Sequence, residues 1–361
     1  MVALLLGAGL LVWSFHPRTV KAGANTFVNP SGIINAFSTP TVVSNPKNPS
    51  DLVAVYREDR PALSAQLSWS GNGGASWTKV NLPLPGGDTE PFFPDAAFAP
   101  NGTLYVVYTN LTGRGNLPAE MFVAKSTDDG HTLSSPVQVG GAMTFQPRIL
   151  VGSDGAIHLF WVQVTSPTGT GVNRGVQAIV TAVSTNGGTT FSAASPVSPV
   201  SGDQAASPAP AFDSSGQLVV AYQDLGPPPT TTSNQSSLVV VHQQGAGFSS
   251  PVEVDPSVVA HQGYDIFQNL YPSLAAGSGG KMYLTWSSGA PHDTVRLSSS
   301  TDGGAHWTSP AVLRPTITGT SLTTSVDWVP SMAVSSGGRI DIAFLAQRSG
   351  ALTNVVLARS T

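Results

Sequence analysis

Cysteine is absent from this chain of 361 residues, so disulfides and thiolate chemistry are excluded. A core of that size needs no covalent staples, and the absence leaves the compartment open. Charge is scarce as well. Only 10% of residues are Asp, Glu, Lys or Arg, the net charge is -4, and no run of Lys or Arg occurs. Phosphate backbones require concentrated positive charge, so nucleic acid is not an expected partner. Strong helix formers are outnumbered by Ser, Thr, 38 Gly and 29 Pro, a composition that favours short strands joined by turns. Long apolar runs are missing except one, "VALLLGAGLLVW" at 2–13. At about a dozen residues it is short for a membrane span and suits a signal-peptide core. Ala22-Gly23-Ala24 then offers a small-residue cleavage site, although Arg18 and Lys21 lie before it and no basic residue precedes the run. Residues 1–24 are read as a signal peptide or uncleaved anchor, which makes the protein secreted or held at the cell surface, with any membrane association through this segment alone.

What is present is a repeat. "SWSGNGGASW", "KSTDDGHTL", "VSTNGGTTF" and "SSSTDGGAHW" share a serine, an Asp or Asn two residues on, a glycine and an aromatic or leucine. Their serines, Ser70, Ser126, Ser184 and Ser300, are spaced by 56, 58 and 116, the last being twice 58. A degenerate copy is expected near residue 242, in "VVVHQQGAGF" with Phe248 in the aromatic place, and a sixth at Ser360. Before each copy a proline opens a short strand, then a turn and a second strand, as in "FPDAAFAPNGTLYVVY". Those opening prolines are read as Pro40, Pro94, Pro147, Pro210, Pro272 and Pro330. Asn-Gly, Asp-Gly and Gly-Gly between apolar runs form hairpins because those residues tolerate positive φ. Four strands per unit and six units predict an all-β fold, a six-bladed β-propeller of four-stranded antiparallel blades over residues 25–361. Asn25 to Phe37 is expected to supply the missing fourth strand of the last blade and close the ring, which removes an open sheet edge.

The repeat resembles the Asp-box, or BNR repeat, of sialidases and other propellers. The fullest copy is Ser300-Thr301-Asp302-Gly303-Gly304-Ala305-His306-Trp307, with Asn at Asn72 and Asn186 and Leu133 or Phe191 in place of Trp elsewhere. The boxes themselves are structural: the Asp or Asn oxygen accepts backbone N–H groups, glycine takes the left-handed position, and the aromatic residue is buried. In propellers of this kind ligands bind the opposite face, and here its loops gather much of the chain's charge. Arg57, Arg60, His261, Tyr264, Asp265 and Trp328 are the candidate ligand-binding residues. Asp59, Glu90, Tyr271 and Asp327 are the catalytic candidates. Asp95 and Arg148 hold the same register on neighbouring innermost strands and are expected to pair inside the channel.

Two sialidase landmarks are missing. The place of the carboxylate-binding arginine, two residues before the first opening proline, is Ser38, and no carboxylate follows Glu58-Asp59-Arg60 before Trp69. No metal-ligand spacing, phosphate loop or cofactor motif occurs. The resulting expectation is an exported module that recognises an extracellular glycan or cell-surface polymer. The alternatives are an exo-acting glycoside hydrolase with a non-standard catalytic set and a purely structural or protein-binding propeller.

Overall fold

A computed structural model describes residues 28, 37–58, 64–85, 91–112, 117–165, 176–199, 204–226, 235–259, 272–289, 293–313, 316–317, 320–321, 326–347 and 353–360. The strands fall into six antiparallel blades. Blade 1 is β1 (Phe37–Asn45), β2 (Asn48–Glu58), β3 (Ser64–Ser70) and β4 (Thr78–Val80); blade 2 is β5 (Pro91–Phe98), β6 (Leu104–Thr112), β7 (Leu117–Ser126) and β8 (Val137–Gly140). Blade 3 is β9 (Thr144–Val151), β10 (Ile157–Thr165), β11 (Val176–Ser184) and β12 (Ser195–Pro196). In blade 4, β13 (Gln204–Phe212), β14 (Leu218–Gly226) and β15 (Gln235–Gln244) are followed by a stub, β16 (Gly247–Phe248), and by β17 (Val252–Val259), which pairs with β15. Blade 5 is β18 (Ser273–Ala276), β19 (Met282–Gly289), β20 (Asp293–Ser300) and β21 (Ala311–Val312). A two-residue ribbon, β22 (Thr316–Ile317) with β23 (Thr320–Ser321), leads to blade 6, where β24 (Val326–Val334), β25 (Ile340–Gln347) and β26 (Thr353–Arg359) are the strands among the described residues. The six-bladed propeller is thus as expected, while the closing segment from Asn25 lies, apart from Val28 and Phe37, outside the described residues.

Alternation along each second strand explains how the blades adhere. Residues one apart point to opposite faces, so each strand serves two neighbours. Leu104, Val106 and Tyr108 join a core with Val53, Val55 and Leu67 of blade 1, and Tyr105 and Val107 join a second core with Ile157, Leu159 and Trp161 of blade 3. Three further cores bind blades 3 to 4, 4 to 5 and 5 to 6. One position is aromatic in every second strand, Tyr56, Tyr108, Trp161, Tyr222, Trp286 and Phe344, all buried. Leu133, Phe191, Phe248 and Trp307 pack against successive cores, so Phe248 does occupy the aromatic place of the degenerate copy. There the serine turn is replaced by a tight hairpin, with Gln244 opposite Gly247.

The other four turns share one geometry. Ser300 Oγ accepts the Gly304 N–H at 2.9 Å and donates to Asp302 Oδ1 at 2.7 Å, while Asp302 Oδ1 also accepts the His306 N–H at 2.9 Å. The same bonds recur around Ser70, Ser126 and Ser184. Three of these turns, those of blades 2, 3 and 5, are also held by the preceding blade. Lys125 Nζ donates to the Gly187 carbonyl at 3.0 Å, and Asn45 Nδ2 to Asp129 Oδ1 at 2.8 Å. His242 Nε2 lies 3.0 Å from the Gly303 carbonyl, and because a carbonyl only accepts, that nitrogen carries the proton. A Cβ on Gly130 would sit 2.9 Å from Val53, and one on Gly304 2.9 Å from His242, so both turns combine positive φ with contact against the neighbouring blade.

Candidate functional site

The serine turns join third to fourth strands, so they mark one end of the propeller. At the other end lie the second-to-third-strand loops and the links between blades, and most of these loops lie outside the described residues. Their roots are described, and they show a feature the sequence did not suggest. The residue before the opening proline has positive φ in four blades: Phe93 (46°), Gln146 (48°), Ser207 (57°) and Val329 (55°). At each of these places the pairing of first and second strand skips, between Phe92 and Asp95, Phe145 and Arg148, Ala206 and Ala209, and Trp328 and Ser331. Blade 1 skips likewise between Ser38 and Thr41. This register corrects one assignment: the opening proline of blade 4 is Pro208, and Pro210 lies in the paired strand beyond it. A β-bulge re-aims side chains, and non-glycine residues held at positive φ store strain of about 1–3 kcal/mol that the surrounding packing has to offset.

Side chains of one blade tie down the bulge of the next. Gln146 Oε1 accepts the Ser207 N–H at 2.8 Å, and Ser287 Oγ accepts the Val329 N–H at 3.0 Å. Deeper in the channel Asp95 Oδ2 accepts the Ile149 N–H at 3.1 Å, and Ser273 Oγ accepts the Met332 N–H at 3.0 Å. Burial pushes the Asp95 carboxyl up from its ordinary value, opposed by the Arg148 charge and by hydrogen bonds from Ile149, Thr41 and Ala96. The contact that joins Asp95 to the next blade is thus the Ile149 N–H, with the Arg148 charge acting on the carboxyl without a direct ion pair between the two, and the carboxyl serves as an inter-blade anchor.

Three of the sequence-derived candidates fall on described residues. Arg57, at the end of β2, places its guanidinium carbon 5.1 Å from the centroid of the Phe92 ring in blade 2, a cation–π contact. Its neighbour Glu58 is buried and pairs with Lys79 at 3.5 Å. Asp327 is 5% exposed at the start of β24, and Trp328 beside it is half-buried next to the Val329 bulge. Asp59, Arg60, Glu90, His261, Tyr264, Asp265 and Tyr271 lie outside the described residues. Around the described candidates the sequence reasoning missed a belt of buried neutral groups: Thr109, Asn110, Thr144, Gln223, Ser287 and Ser288. Five of the six lie in the last four residues of second strands and the sixth, Thr144, opens a first strand, a placement legible only once register is known. Such groups donate and accept hydrogen bonds without charge, and Thr109, Ser287 and Ser288 spend theirs on the backbone of Phe92, Val329 and Val259, which fixes the roots of the loops. Among the described residues no three His, Asp or Glu side chains converge as metal ligands.

Blade count, strand order and this loop face define a six-bladed β-propeller. Solved structures of the same fold include an ulvan lyase of a new polysaccharide lyase family bound to -[GlcA(1-4)Rha3S]-, with TM-score 0.63 and 11% identity over 88% of this chain and 78% of that one. An α-L-arabinanase from Penicillium chrysogenum complexed with arabinobiose has TM-score 0.60 and 17% identity over 89% and 92%. A Hadza microbial sialidase has TM-score 0.57 and 16% identity over 87% of this chain and 66% of that one. At these identities the likeness is one of fold. No family model matches the sequence, and no curated protein matches it.

Proposed function

We propose that the protein is an exported Asp-box propeller that recognises an extracellular glycan or cell-surface polymer through the face opposite its serine turns. The observation that carries this reading is the pairing, at the roots of these loops, of a guanidinium stacked on Phe92 with a half-buried indole at Trp328 beside a buried carboxylate. Rings cover the C–H faces of sugars while polar groups bond the hydroxyls. The fold neighbours named for a sialidase, an ulvan lyase and an arabinanase support a carbohydrate ligand. A glycan-array screen of the full chain is expected to give binding that Trp328→Ala and Arg57→Ala each weaken by about tenfold, near 1.4 kcal/mol, at unchanged thermal stability. Binding that ignores both variants overturns the assignment of this face.

The hydrolase reading rests on Asp327, a carboxyl 5% exposed at the root of the same face. Turnover of an aryl-glycoside panel, sialosides included, that vanishes in Asp327→Asn or Glu90→Gln would replace recognition by catalysis.

A further inference from the structure

Among the described residues, the interface between blades 4 and 5 contains three polar side-chain atoms that the fold buries and does not pair, Gln223 Oε1, Trp286 Nε1 and, across the strand pair from Trp286, Arg296 Nε. Gln223 is 0% exposed; its Nε2 donates to Ser236 Oγ at 2.9 Å, but its Oε1 has no hydrogen-bond partner. Trp286 is also 0% exposed, and its indole Nε1 has none. Both side chains enter the same space. Along β14, Val219 and Ala221 face blade 5, and strand alternation sends Gln223 the same way. Its cross-strand neighbour is Leu238, which belongs to the core that contains Trp286. Ser236 pairs with Val258 of that same core, and Ser288, on the Trp286 face of β19, accepts the Val259 N–H at 3.2 Å.

A carboxamide oxygen only accepts and an indole N–H only donates. The pair is therefore matched by a single O–H group, which accepts from Trp286 and donates to Gln223. Leaving either atom unpaired in an apolar core is costly, whereas one bridging hydroxyl satisfies both. The corresponding tryptophan of blade 3 shows the alternative: Trp161 Nε1 donates to Gln163 Oε1 at 3.2 Å within its own strand, and in blade 5 the residue two places beyond Trp286 is Ser288, whose short side chain is already engaged by Val259. We propose that Gln223 and Trp286 form a built-in hydroxyl site in the blade 4–blade 5 interface, which takes one O–H group from an internal water or from the end of a bound sugar. The sugar source rests on the proposed glycan function; the water source does not.

Crystal structures of the full chain at high resolution, free and soaked with a monosaccharide panel, test this directly. An oxygen within about 3.2 Å of both Nε1 and Oε1 is expected. Present in the free protein, it identifies water; present only with sugar, it identifies a ligand hydroxyl. Density showing the two atoms bonded to other protein groups, or no oxygen in either crystal, overturns the site whether or not the protein binds glycans elsewhere. A thermal double-mutant cycle with Trp286→Phe and Gln223→Met gives an independent reading. Through a shared bridge, the double variant should lose little more melting temperature than the worse single variant, and additive losses would count against a bridge.

Discussion

Ser300 and Asp302 show how much order one turn takes from two short side chains. The serine hydroxyl is both donor and acceptor, and the carboxylate closes the second half of the turn. Ser300→Ala removes all three serine bonds and leaves the buried Gly304 N–H unpaired, so it should cost about 1–3 kcal/mol by urea denaturation. The same bonds make the turns sensitive to acid. Hydrogen bonds from Ser300 and His306 lower the Asp302 carboxyl well below its ordinary value. At Asp128 burial acts in the opposite sense, yet bonds from Ser126 and Thr132 outweigh it and hold the carboxyl to about 2. Each folded value lies below the unfolded one, so the stabilisation is present above about pH 4 and is lost as the pH falls towards about 2. Urea midpoints measured against pH should drop in that window, and the drop should be smaller in the Asp128→Asn, Asp302→Asn double variant. Asn72 and Asn186 already make the equivalent bonds without titrating, which is why the substitution is tolerable.

At the scale of strands, the bulge before each opening proline reverses the usual effect of a glycine substitution. Val329 is β-branched at φ 55°, a conformation that disfavours every residue except glycine. Val329→Gly should therefore raise stability by about 1 kcal/mol, where Val→Gly in an ordinary strand lowers it. Between blades the Asp255–Arg296 pair, 2.8 Å apart with Asp255 almost fully buried, gives the opposite expectation. Arg296→Met leaves a buried carboxylate uncompensated and should cost about 3 kcal/mol, most of it recovered when Asp255→Leu is added. Calorimetry on the three proteins checks the sign and the recovery. These two features also show where sequence reading stops. The hairpins were legible because Asn-Gly and Gly-Gly impose a turn locally, and the repeat of Ser70, Ser126, Ser184 and Ser300 counted the blades. The bulges were not, since a proline on its own biases the preceding residue towards extended backbone. Positive φ at Phe93 and Gln146 is imposed by the packing of innermost strands around the channel. Within the site, Arg57, Asp327 and Trp328 stood out as charged or aromatic groups in loops. Nothing in the sequence singles out Gln146, because its bond to the Ser207 N–H of the next blade depends on register that no single strand encodes.

For the whole molecule, stability is distributed over interfaces, with five apolar cores joining successive blades from the first to the sixth among the described residues. A chain cut after residue 325 would strip the cover from Tyr283, Val295, Leu297 and Leu313, all buried against blade 6. Such a truncation should bind a hydrophobic dye and aggregate, while the intact chain stays monodisperse in light scattering. The clasps on the serine turns give this ring a direction as well. Asn45 holds the turn of blade 2, Lys125 that of blade 3 and His242 that of blade 5, always from the blade nearer the N-terminus. A chain leaving the ribosome therefore carries each hook before the eye it will catch, and every new blade emerges onto a neighbour already able to receive it.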